Sequence, residues 1–560
     1  MTAILPRDPN DVMRLERMGA FFQTRLSFMR SLIRRMHDEQ WRIEAVRSEL
    51  DDEGYGVAIY EADAGQRTYS LVCFSQPISP ESRTDRVIAK VWDATFTLAD
   101  GRPTEDDIRR LAENVPKQEA GRCTAKEIVL ARANKSLRLF DHITGRLADG
   151  RQPDVKVIGE VGYLMRTTAV YGNGKFGLAD REKISSRSEL AGPFAAEMLA
   201  VYLIRCFTID LVEHIARRRN PQGAVPLDPA IKRFLGIGNA TGLGMAPFLV
   251  GHPILINNWF SARERALARV RSVERVKPED QERFAQLLDR AEQHIAEWNV
   301  ADERQMGNII RLRRELPEIR AQALADTGAL NRKQPWDTLY RWAEAELSLE
   351  GQELLVSLMI EPYPELVDDL SGEMAANETA TIDARMSVAE VRGHIAKDYP
   401  WSLGIDFSDP ARQQRFWYVS EEKLEPRLGE RDTEPGAGKE MPLAIGRDVQ
   451  ALDAALIGMP GSLDMSEFLI KHPEFRHVVR RVQVTARYPY AELRSNLVDA
   501  DMLPLDMLRC KLSFFGAVKF DPRSDRWTRI TMYQGAPLAD ELHEPNADDW
   551  AFPVKPGPPS

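Results

Sequence analysis

The chain has 560 residues, 43 % hydrophobic and 29 % charged, the proportions of a globular protein with a sizeable core. Its 75 Lys and Arg stand against 85 Asp and Glu, a net charge of −10 that excludes any global electrostatic pull toward nucleic acid or anionic lipid. Cys73, Cys123, Cys206 and Cys510 are too widely spaced for a disulfide framework, a zinc ribbon or a CxxC redox centre.

The first twelve residues are polar and proline-bearing, without the apolar run of a signal peptide. A helix is expected from Asp11 to Leu50, with Met18, Phe21, Phe22, Met29, Leu32, Ile33 and Met36 at three- and four-residue spacing. Three strands follow, at Tyr55–Glu61, Thr68–Phe74 and Val87–Leu98, as an antiparallel meander. A second helix is expected from Ala125 to Leu147. After it comes a strand pair, Glu160–Tyr171 and Lys175–Leu178, around the hairpin dipeptide Asn173-Gly174.

Residues 189–358 read as helical with one glycine-rich interruption. Within them Phe194–Ile215 is the most apolar stretch, but Glu197, Arg205, Asp210 and Glu213 interrupt it. That pattern describes a long buried helix and not a membrane span. Arg217, Arg218 and Arg219 suit its solvated carboxyl end, where cations complement the dipole. Pro278–Leu324 predicts an antiparallel helical hairpin. Ser371–Ala384 and Glu421–Pro442 have loop composition, with a short strand at Arg415–Ser420 between them. Helices are expected at Val449–Leu456, Met465–Ile470 and Arg476–Leu497, then a hairpin of Lys511–Phe520 with Thr528–Gln534 around Asp521–Asp525, and an extended tail.

The fold class expected is therefore α+β, predominantly helical. Antiparallel strands occupy the N-terminal third and the C-terminus, around a central helical region. Four sections are expected: 1–188, 189–370, 385–545 and the tail 546–560.

The glycine-rich stretch, read as a loop between helices, is the first candidate for chemistry. Gly236, Gly238, Gly242 and Gly244 fall within nine residues, with Asn239 and Thr241 between them and Pro247 beyond. Such a loop lets backbone N–H groups converge on an anion without a Cβ in the way. It lacks the Gly-Lys-Ser/Thr of a Walker A loop and the spacing of a Rossmann fingerprint. Close helix–helix contact through small residues is the structural alternative. Downstream, His252 is a candidate proton donor and Asn257 a carboxylate ligand or helix cap.

On the strand before Asn173, Arg166 and Thr168 share one face and could present a guanidinium fork beside a hydroxyl. Cys510, between Arg509 and Lys511, is a candidate nucleophile if those cations depress its pKa, with Lys511 a charge stabiliser. A buried packing cysteine is the alternative. No HExxH or GxSxG occurs, His472 and His477 lack helical i, i+4 spacing, and no metal site is assigned. The aromatic groups Trp336-Tyr340-Trp342 and Phe416-Trp417-Tyr418 read as core.

The expectation is a cytoplasmic metabolic enzyme acting on a small anionic, carboxylate- or phosphate-bearing substrate. Reaction type and cofactor are unassigned, neither nucleic acid nor membrane is a partner, and homo-oligomerisation is left open. The alternative is a non-catalytic assembly protein presenting the 278–324 helices to a partner.

Overall fold

The computed structural model describes residues 4–76, 92–116, 124–172, 187–242, 253–374, 381–408, 417–419, 426–428, 441–442, 445–494, 506–524 and 527–557. Helices and strands are mixed, and most of the strands belong to one nine-stranded sheet. Its strands are β1 (Arg42–Leu50), β2 (Gly56–Asp63), β3 (Thr68–Ser75), β4 (Ala94–Asp100), β5 (Glu127–Lys135), β6 (Tyr163–Gly172), β7 (Gly236–Gly242), β11 (Val518–Ser524) and β12 (Trp527–Met532). The short strands β8 (Trp417–Val419), β9 (Pro426–Leu428) and β10 (Met441–Pro442) form a separate three-stranded sheet.

In the large sheet β1 to β6 pair in chain order, each antiparallel to the next. The seventh strand lies parallel to β6, and the C-terminal pair β12–β11 continues from it antiparallel. Parallel neighbours need a long crossover. Here it runs through the helix Ala195–Arg219, which is apolar on every side and lies against β2 to β7. At 1.5 Å per residue such a helix spans roughly 37 Å, enough to cross most of the sheet. Two of its charged side chains are tied to the surrounding elements. Arg205 donates to the carbonyls of Leu235 (2.7 Å), Arg233 (2.8 Å), Ala536 (2.9 Å) and Pro537 (2.9 Å). Asp210 accepts from the Tyr60 hydroxyl at 2.6 Å. Arg217, Arg218 and Arg219 are exposed at its end.

Three expectations are corrected. The N-terminal stretch is not one helix: Phe28–Asp38 is helical, Gln40 takes a positive φ of 56°, and Arg42–Leu50 becomes edge strand β1. The alternating Arg and Glu of that strand resemble the outer face of a helix, but they protect an open sheet edge against pairing with another chain. Residues 127–135 form β5, with a helix only at Phe140–Ala148, because strands on both sides override the helical preference of Ala, Arg and Lys. Residues 506–515 are helical, and the C-terminal hairpin begins at Val518, so the expected turn residues Asp521–Ser524 lie within β11.

The helical hairpin is present as Pro278–Glu297 and Glu303–Leu324. It packs with Pro253–Arg271, Pro335–Glu346 and Leu349–Ile360 over an aromatic core that includes Trp336. A further group, Val388–Asp398, Ile445–Leu456 and Arg476–Arg487, docks on Pro253–Arg271, where Asn257 Oδ1 accepts from the Tyr490 N–H at 3.1 Å. Residues 173–186, and with them the Asn173-Gly174 turn, lie outside the described residues. No helix among the described residues is long and apolar enough to cross a membrane.

Candidate functional site

The glycine-rich segment is not a loop. Gly236–Gly242 is the interior strand β7, with both neighbours bonded. Directly paired residues share a face of a sheet, and alternate residues along a strand share it too. Gly236, Gly238 and Ala240 therefore lie on one face, level with Tyr163 and Arg166 of β6 and with Thr531 and Arg529 of β12. Gly238 pairs directly with Arg166, so two candidate constellations separated by about seventy residues of chain become neighbours.

The glycines answer a steric demand. A Cβ on Gly238 would come within 2.7 Å of the Tyr163 ring, and one on Gly236 within 2.3 Å of the Met532 carbonyl oxygen. The small-residue face is thus a floor on which the Tyr163 ring rests. Asn239 and Thr241 belong to the other face and have partners there. Asn239 Nδ2 donates to Thr167 Oγ1 at 2.7 Å, Thr167 Oγ1 to the Gly238 carbonyl at 3.2 Å, and Thr241 Oγ1 to Asn239 Oδ1. These bonds tie β7 to β6 on the face opposite the Tyr163 ring.

Around Tyr163 the charge is one-sided. Burial raises the phenol pKa, while Arg529, Arg166 and Arg523 pull it back and Asp521 adds to the rise. The Arg523 guanidinium pairs with Asp521 at 3.5 Å. Arg166 and Arg529 make no ion pair among the described residues, and the Nε of each is buried without an acceptor there. Both side chains are half-buried, so part of their desolvation is already complete. Burial holds the Asp521 carboxyl above its ordinary range despite Arg523 and Arg529. The result is a shelf with two guanidinium groups that make no ion pair among the described residues, a phenol, and a carboxyl that burial and Asp302 raise. That chemistry suits a carboxylate or phosphate.

The remaining candidates do not join it. Cys510 is 1 % exposed in the helix Asp506–Phe515, and burial pushes its thiol well up, against the depression a nucleophile needs. Its neighbour Arg509 turns away to Glu350 at 2.7 Å and to the Phe21 carbonyl at 2.9 Å. The nucleophile reading of Cys510 is therefore corrected to a buried packing residue. Lys511 lies in the same helix. Asn257 ties the helix Pro253–Arg271 to the Tyr490 N–H, and its Nδ2 donates to Asn258 Oδ1 at 3.3 Å. Thr168 lies in β6, Gly242 closes β7 opposite Trp527, and Gly244 and His252 lie outside the described residues.

Tyr163, Asp521, Arg523 and Arg529 were not legible as site residues. Their signal is the register of β12 on β7, a pairing across nearly three hundred residues that no local pattern announces. Among the described residues no three metal-ligating side chains gather. No family model, characterised protein or solved structure matches this chain.

Proposed function

We propose that the chain binds a small carboxylate- or phosphate-bearing molecule on the shelf formed by β6, β7 and β12, as a cytoplasmic metabolic enzyme would hold its substrate. The observation that carries this reading is the convergence of Arg166, Arg523 and Arg529 on Tyr163, where only Arg523 has an ion-pair partner, Asp521, among the described residues. Cationic groups held half-buried and unpaired are costly unless a counter-charge completes them. Arg166 and Arg529 would form charge-assisted bonds to the anion, with the Tyr163 hydroxyl as a neutral donor. Asp521, held above the ordinary carboxylate range, is the group best suited to transfer a proton to or from the bound molecule. The class of reaction stays open.

Calorimetric titration of the wild-type protein and of Arg166→Ala/Arg529→Ala with inorganic phosphate and with a small dicarboxylate tests this. The expected outcome is binding by the wild type and at least a tenfold weakening in the double variant, since two charged hydrogen-bonding groups are removed. Absence of binding to the wild type, or equal binding by both proteins, would overturn it. The assembly alternative has less support: on the 278–324 hairpin Ile310, 43 % exposed, is a solitary large apolar side chain at the surface among the described residues.

A further inference from the structure

Away from the shelf, a cavity of about 610 Å³ opens on the C-terminal helical group. It lies between the segment at Ile382 and the start of the helix Arg476–Arg487. That volume suits a small organic molecule, since ligand clefts run from roughly 300 to 1,000 Å³. Its wall divides by chemistry. Ile382 and Pro473 supply apolar surface, while Arg476, His477 and Arg480 supply basic groups against one acid, Glu474.

The helix uses its arginines in two ways. Arg481 pairs with Glu492, its Nη2 donating to Oε1 at 2.9 Å. Arg476 and Arg480 line the cavity instead, and neither side chain has an ion pair or hydrogen bond among the described residues. Four residues apart on one helix, two like charges repel each other, so they gain nothing from their own neighbourhood. The nearest acids turn to histidines. Asp448 Oδ2 lies 3.2 Å from His477 Nε2, and Glu474 Oε1 lies 3.4 Å from His472 Nδ1. Asp448, with the Glu474 carbonyl as a further acceptor, holds the His477 imidazole above its ordinary pKa, which adds positive charge to the wall.

Two adjacent guanidinium groups match the double charge and three free oxygens of a phosphate monoester. A single carboxylate would satisfy only one of them. The apolar surface of Ile382 and Pro473 is left to receive the rest of such a molecule. We propose that this cavity binds an organic phosphate monoester, with Arg476 and Arg480 holding the phosphate. The site is independent of the arginine shelf.

The probe is phenyl phosphate, titrated calorimetrically into the full chain carrying Arg166→Ala/Arg529→Ala, so that the shelf does not contribute. Saturable binding is expected, at least tenfold tighter than that of inorganic phosphate. Adding Arg476→Ala/Arg480→Ala should weaken it at least tenfold. Both arginines are exposed, so their replacement should leave thermal unfolding unchanged. Wild-type crystals soaked in phenyl phosphate should show the phosphate between the two guanidinium groups, which decides the question even if the shelf variant folds poorly. No saturable binding, undiminished binding without Arg476 and Arg480, or a probe seated only elsewhere would overturn the proposal. Equal affinity for inorganic phosphate would overturn the assignment to a monoester.

Discussion

Around Glu353 three arginines meet two fully buried carboxylates; around Tyr163 three arginines gather at a half-open surface near Asp521, with Asp302 close to that carboxyl. In the first cluster Arg7 reaches Glu264 at 2.6 Å and Glu353 at 2.8 Å, Arg17 reaches Glu353 at 2.8 Å, and Arg263 pairs with both acids. The Arg7, Arg17 and Arg263 guanidiniums hold the Glu353 carboxyl far below the usual carboxylate range, although burial alone would raise it. In the second cluster only Arg523 has an ion-pair partner among the described residues. The difference teaches that residue type does not identify a ligand site. Buried and saturated charge ties the N-terminal segment to the helical layer, and half-buried unsaturated charge is available to something else.

The sharpest way to break this comparison is Glu353→Ala. It removes the carboxylate shared by Arg7, Arg17 and Arg263 and leaves Glu264 alone to offset the two most buried guanidinium groups, so denaturant unfolding should show a loss of about 3–5 kcal/mol. A loss below about 1 kcal/mol would place the cluster in the same class as the shelf. Acid unfolding sharpens it further. The folded pKa values of Glu353 and Asp548 lie below their unfolded ones, so their contribution is complete above the unfolded carboxyl pKa, about 4, and is lost progressively below it.

A second prediction concerns His294. Its folded pKa of about 4 lies below an unfolded value of roughly 6.5, so the unfolded chain takes up the proton first as pH falls. Stability attributable to this residue is present above the unfolded pKa and lost between the two values, on the order of 3 kcal/mol in all. His294→Gln should remove that slope; an unchanged slope from pH 6.5 to 4 would show that the imidazole is not the source.

Smaller effects should come from the shelf. Gly238→Ala drives a methyl into the Tyr163 ring and should cost about 1–3 kcal/mol. Combining it with Tyr163→Ala should recover part of the loss if the ring is the obstacle. Smallest of all, Arg166→Ala should leave stability within about 0.5 kcal/mol while weakening anion binding, because no ion pair is broken. A destabilisation comparable to that of Glu353→Ala would make the shelf structural.

Much of the helical layer was legible from the chain because its signals are local. The hairpin 278–324 announced itself by amphipathic period, and the buried helix through Arg205 by a long apolar stretch that only a few charges interrupt. Failures cluster where the sheet decides. Ala131, Arg132 and Ala133 read as helix until β4 and β6 are known to flank them. The glycines at 236–242 read as a loop because glycine weakens a strand, and only the neighbouring strands explain why nothing larger fits, Tyr163 at Gly238 and the Met532 carbonyl at Gly236. Arg166 was found, but its companion Arg529 lies some 360 residues on. Cys510 misled because its charged neighbours along the chain point elsewhere in space.

The glycine strand also sets a timetable for synthesis. Its partner β12 ends at Met532, near the far end of the chain, so during translation β7 must wait for almost three hundred residues with one edge unpaired. A nascent intermediate that has already formed β1 to β7 presents backbone N–H and C=O groups with few side chains to shield them, an open invitation to pair with a neighbouring ribosome's product. Expression yield should therefore depend on chaperone supply and growth temperature more than the stability of the finished fold would suggest.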